Sequence, residues 1–222
     1  MEKVLRASAN ENPAARCIRR LPVPPRRVSD WHIGYTLVFC VAGMIVPSLF
    51  IADPRPADFL VIPAAFIVAN FVEYIIHRWP LHRKYKGLEF MLDLHMLHHD
   101  YFDETTYQID CYEDFGMIVF PPIVLNMLAL VVTPAFCAVA WWLFGRNAAL
   151  LFYATVMGYY MLMQLLHVLT HLPAGHWIAN LPGIHYLWVH HKIHHTRNRM
   201  VKVNFNFIVP IADIVFGTST QK

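Results

Sequence analysis

The stretch Asn147–His171, NAALLFYATVMGYYMLMQLLHVLTH, runs 25 residues without one charged side chain and ends in two histidines four residues apart. At 1.5 Å per residue it is long enough for a hydrocarbon core of about 30 Å. Three further stretches read the same way: 33–52, 57–77 and the long apolar region 115–145. The last is too long for one comfortable crossing. Pro121 and Pro122 suit a first helical turn, so the helix proper is expected over 121–144, with a kink at Pro134. A tight hairpin in that region would instead give five crossings.

Charge decides for four. Lysine and arginine number seven in residues 1–30, four in 78–113 and five in 172–222, against Arg55 and Arg146 alone in the two short turns. Four crossings put sixteen of the eighteen on one side, which the positive-inside rule makes cytoplasmic. The whole chain is 57% apolar and 15% charged, well below the quarter or so usual in soluble domains. The expected architecture is an all-α integral membrane protein. Four transmembrane helices (about 33–52, 57–77, 121–144 and 147–171) form two hairpins, and a helical cytoplasmic cap comprises 78–113 and 172–222. Residues 1–30, broken by RRLPVPPRR, are expected to be a basic mobile arm rather than a secretory signal. The four cysteines show no short spacing, so neither a disulfide framework nor a cysteine metal site is expected.

Fourteen histidines are the anomaly. His77 and His82 flank Pro80 in HRWPLH; His95, His98 and His99 lie in HMLHH; His167 and His171 in HVLTH; His191, His194 and His195 in HHKIHH. Spacings of three and four place imidazoles on one helix face, and Pro80 ends its helix so that His82 can turn back over His77. A lone histidine at a membrane face is ordinarily interfacial. Ten in four face-matched groups, without a cation, would carry desolvation and mutual repulsion that coordination relieves. Ten nitrogens suit two ions with about five ligands each, whereas a structural zinc site closes at four.

Metal-bound histidines need an acceptor on the other ring nitrogen. Glu73, one turn before His77, Gln164, one turn before His167, and Asp93 and Asp100 beside the second cluster are candidates for that role. His185 and His190 are marginal: His185 as a substitute ligand, His190 as an orienting neighbour. The aromatics Trp79, Tyr101, Phe102, Tyr159 and Tyr160 are candidates to line an apolar approach, or belong to the interfacial belt. No phosphate loop, nucleophile triad or nucleic-acid signature is present.

These motifs resemble the fatty acid hydroxylase and sterol desaturase superfamily of membrane di-iron oxygenases, over roughly 70–218. EYIIHRWPLH is similar to its first box, HMLHH to the second, HVLTH to the third and HHKIHH to the last, while NFNFIVPIADIVFGT (204–218) resembles its closing segment. The first box and VFPP (119–122) are most similar to fatty acid 2-hydroxylases. The resemblance implies two iron ions and dioxygen as co-substrate, acting to hydroxylate an unactivated C–H bond of a lipid acyl chain. It also implies that electrons come from a separate donor, cytochrome b5-like or ferredoxin-like, since no fused cytochrome b5 domain is expected. The membrane would be a bacterial inner membrane or the endoplasmic reticulum. Within the same chemistry the alternative is a desaturase or a sterol or carotenoid oxygenase. From another class it is a non-redox zinc-binding membrane protein, and zinc is able to occupy an all-nitrogen site in purified samples.

Overall fold

The computed structural model describes residues 30–221, and the expected arm over 1–30 falls outside it except for Asp30, where the first helix starts. The described residues are helical and contain no strand. In chain order the elements are α1 (Asp30–Ser48), a 3₁₀ turn (Pro56–Leu60) leading into α2 (Val61–Arg78), α3 (Glu89–Tyr101), α4 (Phe115–Ile118), α5 (Pro122–Met127), α6 (Thr133–Phe144), α7 (Arg146–Thr170), α8 (Pro182–His194) and α9 (Ile211–Val215). Four helical stretches are long and apolar enough to cross a membrane: Trp31–Ser48, Pro56–Arg78, Tyr112–Phe144 and Arg146–Thr170.

The third of these is a single continuous helical run from Pro122 to Phe144, not a hairpin. Pro122 occupies its first position, where the missing N–H costs nothing. At Pro134 that missing donor does matter. The helix passes through one π turn, Leu128–Val132, immediately upstream, which reroutes the ladder around the proline.

The chain divides into two compact units. One comprises 29–73 and 120–165 and holds most of the membrane-crossing length. Its short turns are clipped together by polar side chains. The Arg55 guanidinium pairs with Asp58 (2.7 Å), and Asn147 donates to the Ala52 carbonyl (2.8 Å) and to Asp58 (3.3 Å) while accepting from the Ala52 N–H (3.3 Å). Gly145 alone separates α6 from α7 and turns the chain at φ 92°, a left-handed conformation that glycine adopts without strain. Within the span, Tyr159 donates to Glu73 and accepts from the Asn70 amide (3.0 Å), so these polar groups are mutually satisfied. The other described unit comprises 74–119 and 166–221. There Tyr101, Phe102 and Ile118 form an apolar core joined by Ile109, Met117 and Val168. Cys40 and Cys137 are free thiols, but Cys111 is disulfide-bonded, against expectation.

Close packing of α1 on α7 rests on small residues. A Cβ at Gly43 would lie 2.6 Å from Met157 Cγ, and one at Gly158 would lie 3.1 Å from Met44 Sδ, whereas Gly34 faces open space. Gly43→Val is therefore expected to destabilise the purified protein by about 1–3 kcal/mol, the usual range for overpacking. Gly34→Val on the same helix should leave thermal unfolding in detergent nearly unchanged. Equal effects of the two would remove the Gly43–Met157 approach as a packing determinant.

Candidate metal centre

Four elements bring the histidines together. The chain leaves α2 at Arg78, and the turn that follows, closed by His82 N–H to Trp79 carbonyl (3.1 Å), stacks the His82 ring on His77 at 5.1 Å. Helix α3 presents His95, His98 and His99 on one face. The last turn of α7 gives His167, and His171 follows in the turn before Pro173. Helix α8, started by Pro182, gives His191, His194 and, at its C-cap, His195.

The ten rings sort into two groups of five, all buried. His77, His82, His95, His99 and His194 form one; His98, His167, His171, His191 and His195 form the other. Within each group the nearest ring nitrogens all lie within 4.8 Å of one another. The groups adjoin, since His98 and His99 are neighbours on α3 and His99 stacks on His195 at 4.2 Å.

Ring orientation shows what the groups are built for. In five rings Nδ1 is hydrogen-bonded to a backbone carbonyl: His77 to Phe205 (2.5 Å), His194 to Val203 (2.9 Å), His98 to Met117 (2.7 Å), His171 to Tyr107 (2.7 Å) and His195 to Phe102 (2.5 Å). A carbonyl only accepts, so Nδ1 carries the proton and Nε2 of the neutral ring is a bare lone pair. Where two such rings meet, their Nε2 atoms point at each other. His98 and His195 face across 3.1 Å with both protons already committed elsewhere. Similar approaches of 3.0–3.2 Å join His77 to His95, His194 to His82, and His171 to His191, the first ring of each pair again having its Nδ1 proton on a carbonyl. Lone pair against lone pair at this distance is repulsive, and a cation shared by the nitrogens reverses the sign. Two groups of five neutral imidazoles fit two transition-metal ions, and no carboxylate belongs to either group.

Burial drives the imidazoles of His95, His99, His191, His194 and His195 far below their ordinary pKa, and the positive charge that neighbouring rings would carry adds to it. For the same two reasons His82 is pushed down to about 2. Burial takes His98 down to about 4 against the opposing hydrogen bond to Met117. All seven are held neutral, the form that binds metal.

The residues expected to accept from the outer ring nitrogens do something else. Asp93 and Asp100 point away from the groups and are exposed. Glu73 pairs with Tyr159 and Gln164 donates to Tyr160 (3.2 Å). The acceptors are main-chain carbonyls, which leave no mark in a sequence. His185 is exposed, stacked beside Trp188, and lies outside both groups. His190 is also outside them, fully buried, with Nε2 3.4 Å from Asp213. Of the expected aromatics, Phe102 packs on His98 and His171, at 5.3 and 4.5 Å. Tyr101 instead donates to Asp114, and Tyr159 and Tyr160 are engaged with Glu73 and Gln164. Three aromatic walls were not anticipated. Tyr107 packs on His171 and Phe205 on His194, while Phe207 lies parallel to His77 at 4.8 Å and touches His167 and His191 of the other group. For Phe205 and Phe207 the available signal was the segment FNFIV, 205–209, with its two phenylalanines on either side of Asn206.

Comparison with known proteins bears on the family and the fold. The model of the fatty acid hydroxylase family matches residues 62–218. Among solved structures, full-length Scs7p, in which only the hydroxylase domain is visible, has the same fold at a TM-score of 0.55 and 20% identity. The alignment covers 83% of this chain and 63% of that one, so this chain spans less than two thirds of that neighbour. No curated protein sequence matches significantly.

The sign of the pH dependence follows from the lowered pKa values. The folded chain disfavours protonated histidine, while the unfolded chain takes up protons near the ordinary value of 6.5. The stability these groups contribute is therefore complete above about pH 6.5 and is lost as pH falls below it towards the folded values. Zinc content and thermal stability of the purified protein are expected to decline together between about pH 6.5 and 5, and to stay level from pH 7 to 8. Thermal stability unchanged down to about pH 4 would contradict the lowered histidine values.

Proposed function

This chain belongs to the fatty acid hydroxylase family, and we propose that it is a membrane di-iron monooxygenase that hydroxylates an unactivated C–H bond of a lipid acyl chain. The observation that carries the reading is the convergence of ring nitrogens in two adjoining buried groups of five histidines, sharpest where the bare Nε2 lone pairs of His98 and His195 face each other. His77, His82, His95, His99 and His194 would hold one iron, and His98, His167, His171, His191 and His195 the other. Bound iron would supply the dioxygen activation and C–H cleavage that no protein side chain performs.

The chain's own residues do the rest. Carbonyls of Phe102, Tyr107, Met117, Val203 and Phe205 fix the tautomers and hold the rings still. Phe102, Phe205 and Phe207, all buried, surround the rings with apolar surface and exclude water, which protects an oxidising site from side reactions. His77 and His167 lie in the last turns of membrane-crossing helices, so the centre is within reach of a chain drawn from the bilayer. The distribution of lysine and arginine supports a cytoplasmic centre, where a separate cytochrome b5-like or ferredoxin-like donor would deliver electrons. An all-nitrogen ligand set also accepts zinc; iron is favoured by the family, and hydroxylation over desaturation by the family's name alone.

Protein purified anaerobically from iron-replete cells is expected to carry about two irons per chain, and lipids of the producing cells to include species heavier by one oxygen. His98→Ala should lose metal from its group and abolish the added oxygen while the helices remain inserted. Elemental analysis and lipid mass spectrometry read both results. Two tightly held zincs with unchanged lipids, even with a co-expressed reductase, would favour a non-redox zinc protein.

A further inference from the structure

Two buried aspartates outside both histidine groups, Asp213 and Asp114, each organise a loop whose carbonyls orient histidines. Asp213 Oδ1 accepts from the Phe205 N–H (3.0 Å) and the Thr218 hydroxyl (2.6 Å), and Oδ2 accepts from the Asn206 N–H (2.7 Å). The Asp213 N–H in turn donates to Asn206 Oδ1 (3.1 Å). Asn204, in a left-handed conformation at φ 61°, donates to the His190 carbonyl (2.8 Å) and so ties the same loop to α8. This clasp fixes the segment whose Val203 and Phe205 carbonyls receive the Nδ1 protons of His194 and His77, both in the first group. The clasp reaches the second group only indirectly: Asn204 and Asp213 contact His190, beside His191 on α8, and Phe207 packs on His167 and His191.

Asp114 does the matching work elsewhere. Its Oδ1 accepts from the Tyr101 hydroxyl (2.7 Å), and its Oδ2 from the N–H groups of Asp110 (2.7 Å) and Cys111 (3.1 Å). The segment it gathers carries the carbonyls of Phe102, Tyr107 and Met117, which orient His195, His171 and His98, all in the second group. The Ile109 N–H adds a bond to the His171 carbonyl (2.8 Å). Every carbonyl-oriented ring thus traces to one aspartate or the other, and the division follows the division of the metal groups.

We propose that Asp213 and Asp114 are dedicated positioning residues, one for each metal position, so that the two positions are separately adjustable through loops that never touch the ions. The inference rests on the reading of the histidines as a two-metal site. Each Asp213 oxygen receives a backbone N–H, so an asparagine there must set its NH₂ against one of them whichever way it is turned. Asp114 Oδ1 meets only the Tyr101 hydroxyl, which can also accept, so the matching change there is to leucine. One anchor of the loop is lost while side-chain volume is kept. Loss of support behind a metal ligand typically weakens binding about 10–100-fold.

The test uses the full chain in detergent, loaded with zinc, titrated with a chelator and mapped by carbethoxylation of histidines with mass spectrometry. Wild type is expected to hold about two zincs and to protect both groups. Asp213→Asn should release one zinc about 10–100-fold more readily and expose His77, His82, His95, His99 and His194 to modification, leaving the other five protected. Asp114→Leu, which removes both carboxylate oxygens, should do the reverse. If Asp213→Asn does not accumulate, Thr218→Val, which removes one donor to the same oxygen, is expected to give the same pattern in milder form. Loss from both groups alike, or from neither, would overturn the assignment. Wild type that binds no zinc would instead overturn the two-metal reading beneath it.

Discussion

A proton held on Nδ1 is the constraint from which the rest of the centre follows. Once a backbone carbonyl takes the Nδ1 proton of His98 and another takes that of His195, their Nε2 atoms have nothing but lone pairs to present across 3.1 Å. The orienting acceptors are carbonyls rather than carboxylates, and that choice has an electrostatic consequence. A carboxylate behind each ring would add charge to a buried, apolar setting, where an anion is costly unless fully compensated. Neutral carbonyls fix the tautomer without that cost. Two buried carboxylates of the same unit, Asp114 and Asp213, sit one layer further out, each held by backbone N–H and hydroxyl donors.

The unit that carries most of the membrane-crossing length obeys the same accounting in a different solvent. Hydrocarbon offers no partner to a polar side chain, so each must find one within the protein. Asn70, Tyr159 and Glu73 satisfy one another, Tyr35 donates to Asn126 (2.6 Å), and His32 bonds to the Phe120 carbonyl (2.9 Å). Where no polar group is involved, the helices meet through the absence of side chains, as at Gly43 against Met157. Large apolar residues such as Leu37, Val38, Trp141 and Trp142 stay exposed, as a lipid-facing surface requires.

Much of this was legible in the sequence because it depends on short-range periodicity. Spacings of three and four assign His95, His98 and His99 to one face, and an apolar run of 25 residues assigns a span, without knowledge of any neighbour. What lay beyond reach was long-range. The carbonyl that orients His77 belongs to Phe205, 128 positions away, and a carbonyl is common to every residue. Glu73 and Gln164 stood one helical turn from histidines and so looked like their partners, but a tyrosine hydroxyl engages each: Tyr159 of a facing helix for Glu73, and Tyr160 one turn back on the same helix for Gln164. Asp213 was visible as an acid inside an apolar closing segment, the pattern of a buried group that must be compensated. Its donors, however, come from Phe205 and Asn206 of a loop whose path no periodicity describes.

Burial and repulsion together make the metal-free arrangement a poor minimum. The cap commits at least five ring protons outward, packs the opposing lone pairs inside, and walls them with Phe102, Phe205 and Phe207, so that water cannot readily bridge the nitrogens. Protonation is not an escape, since burial penalises the imidazolium and each charged ring would repel the next. A cation is the remaining way to make these contacts attractive. Metal binding and the final packing of α3, α8 and the closing loop are then one process, because the free energy of coordination is what holds the rings in an arrangement they would otherwise leave.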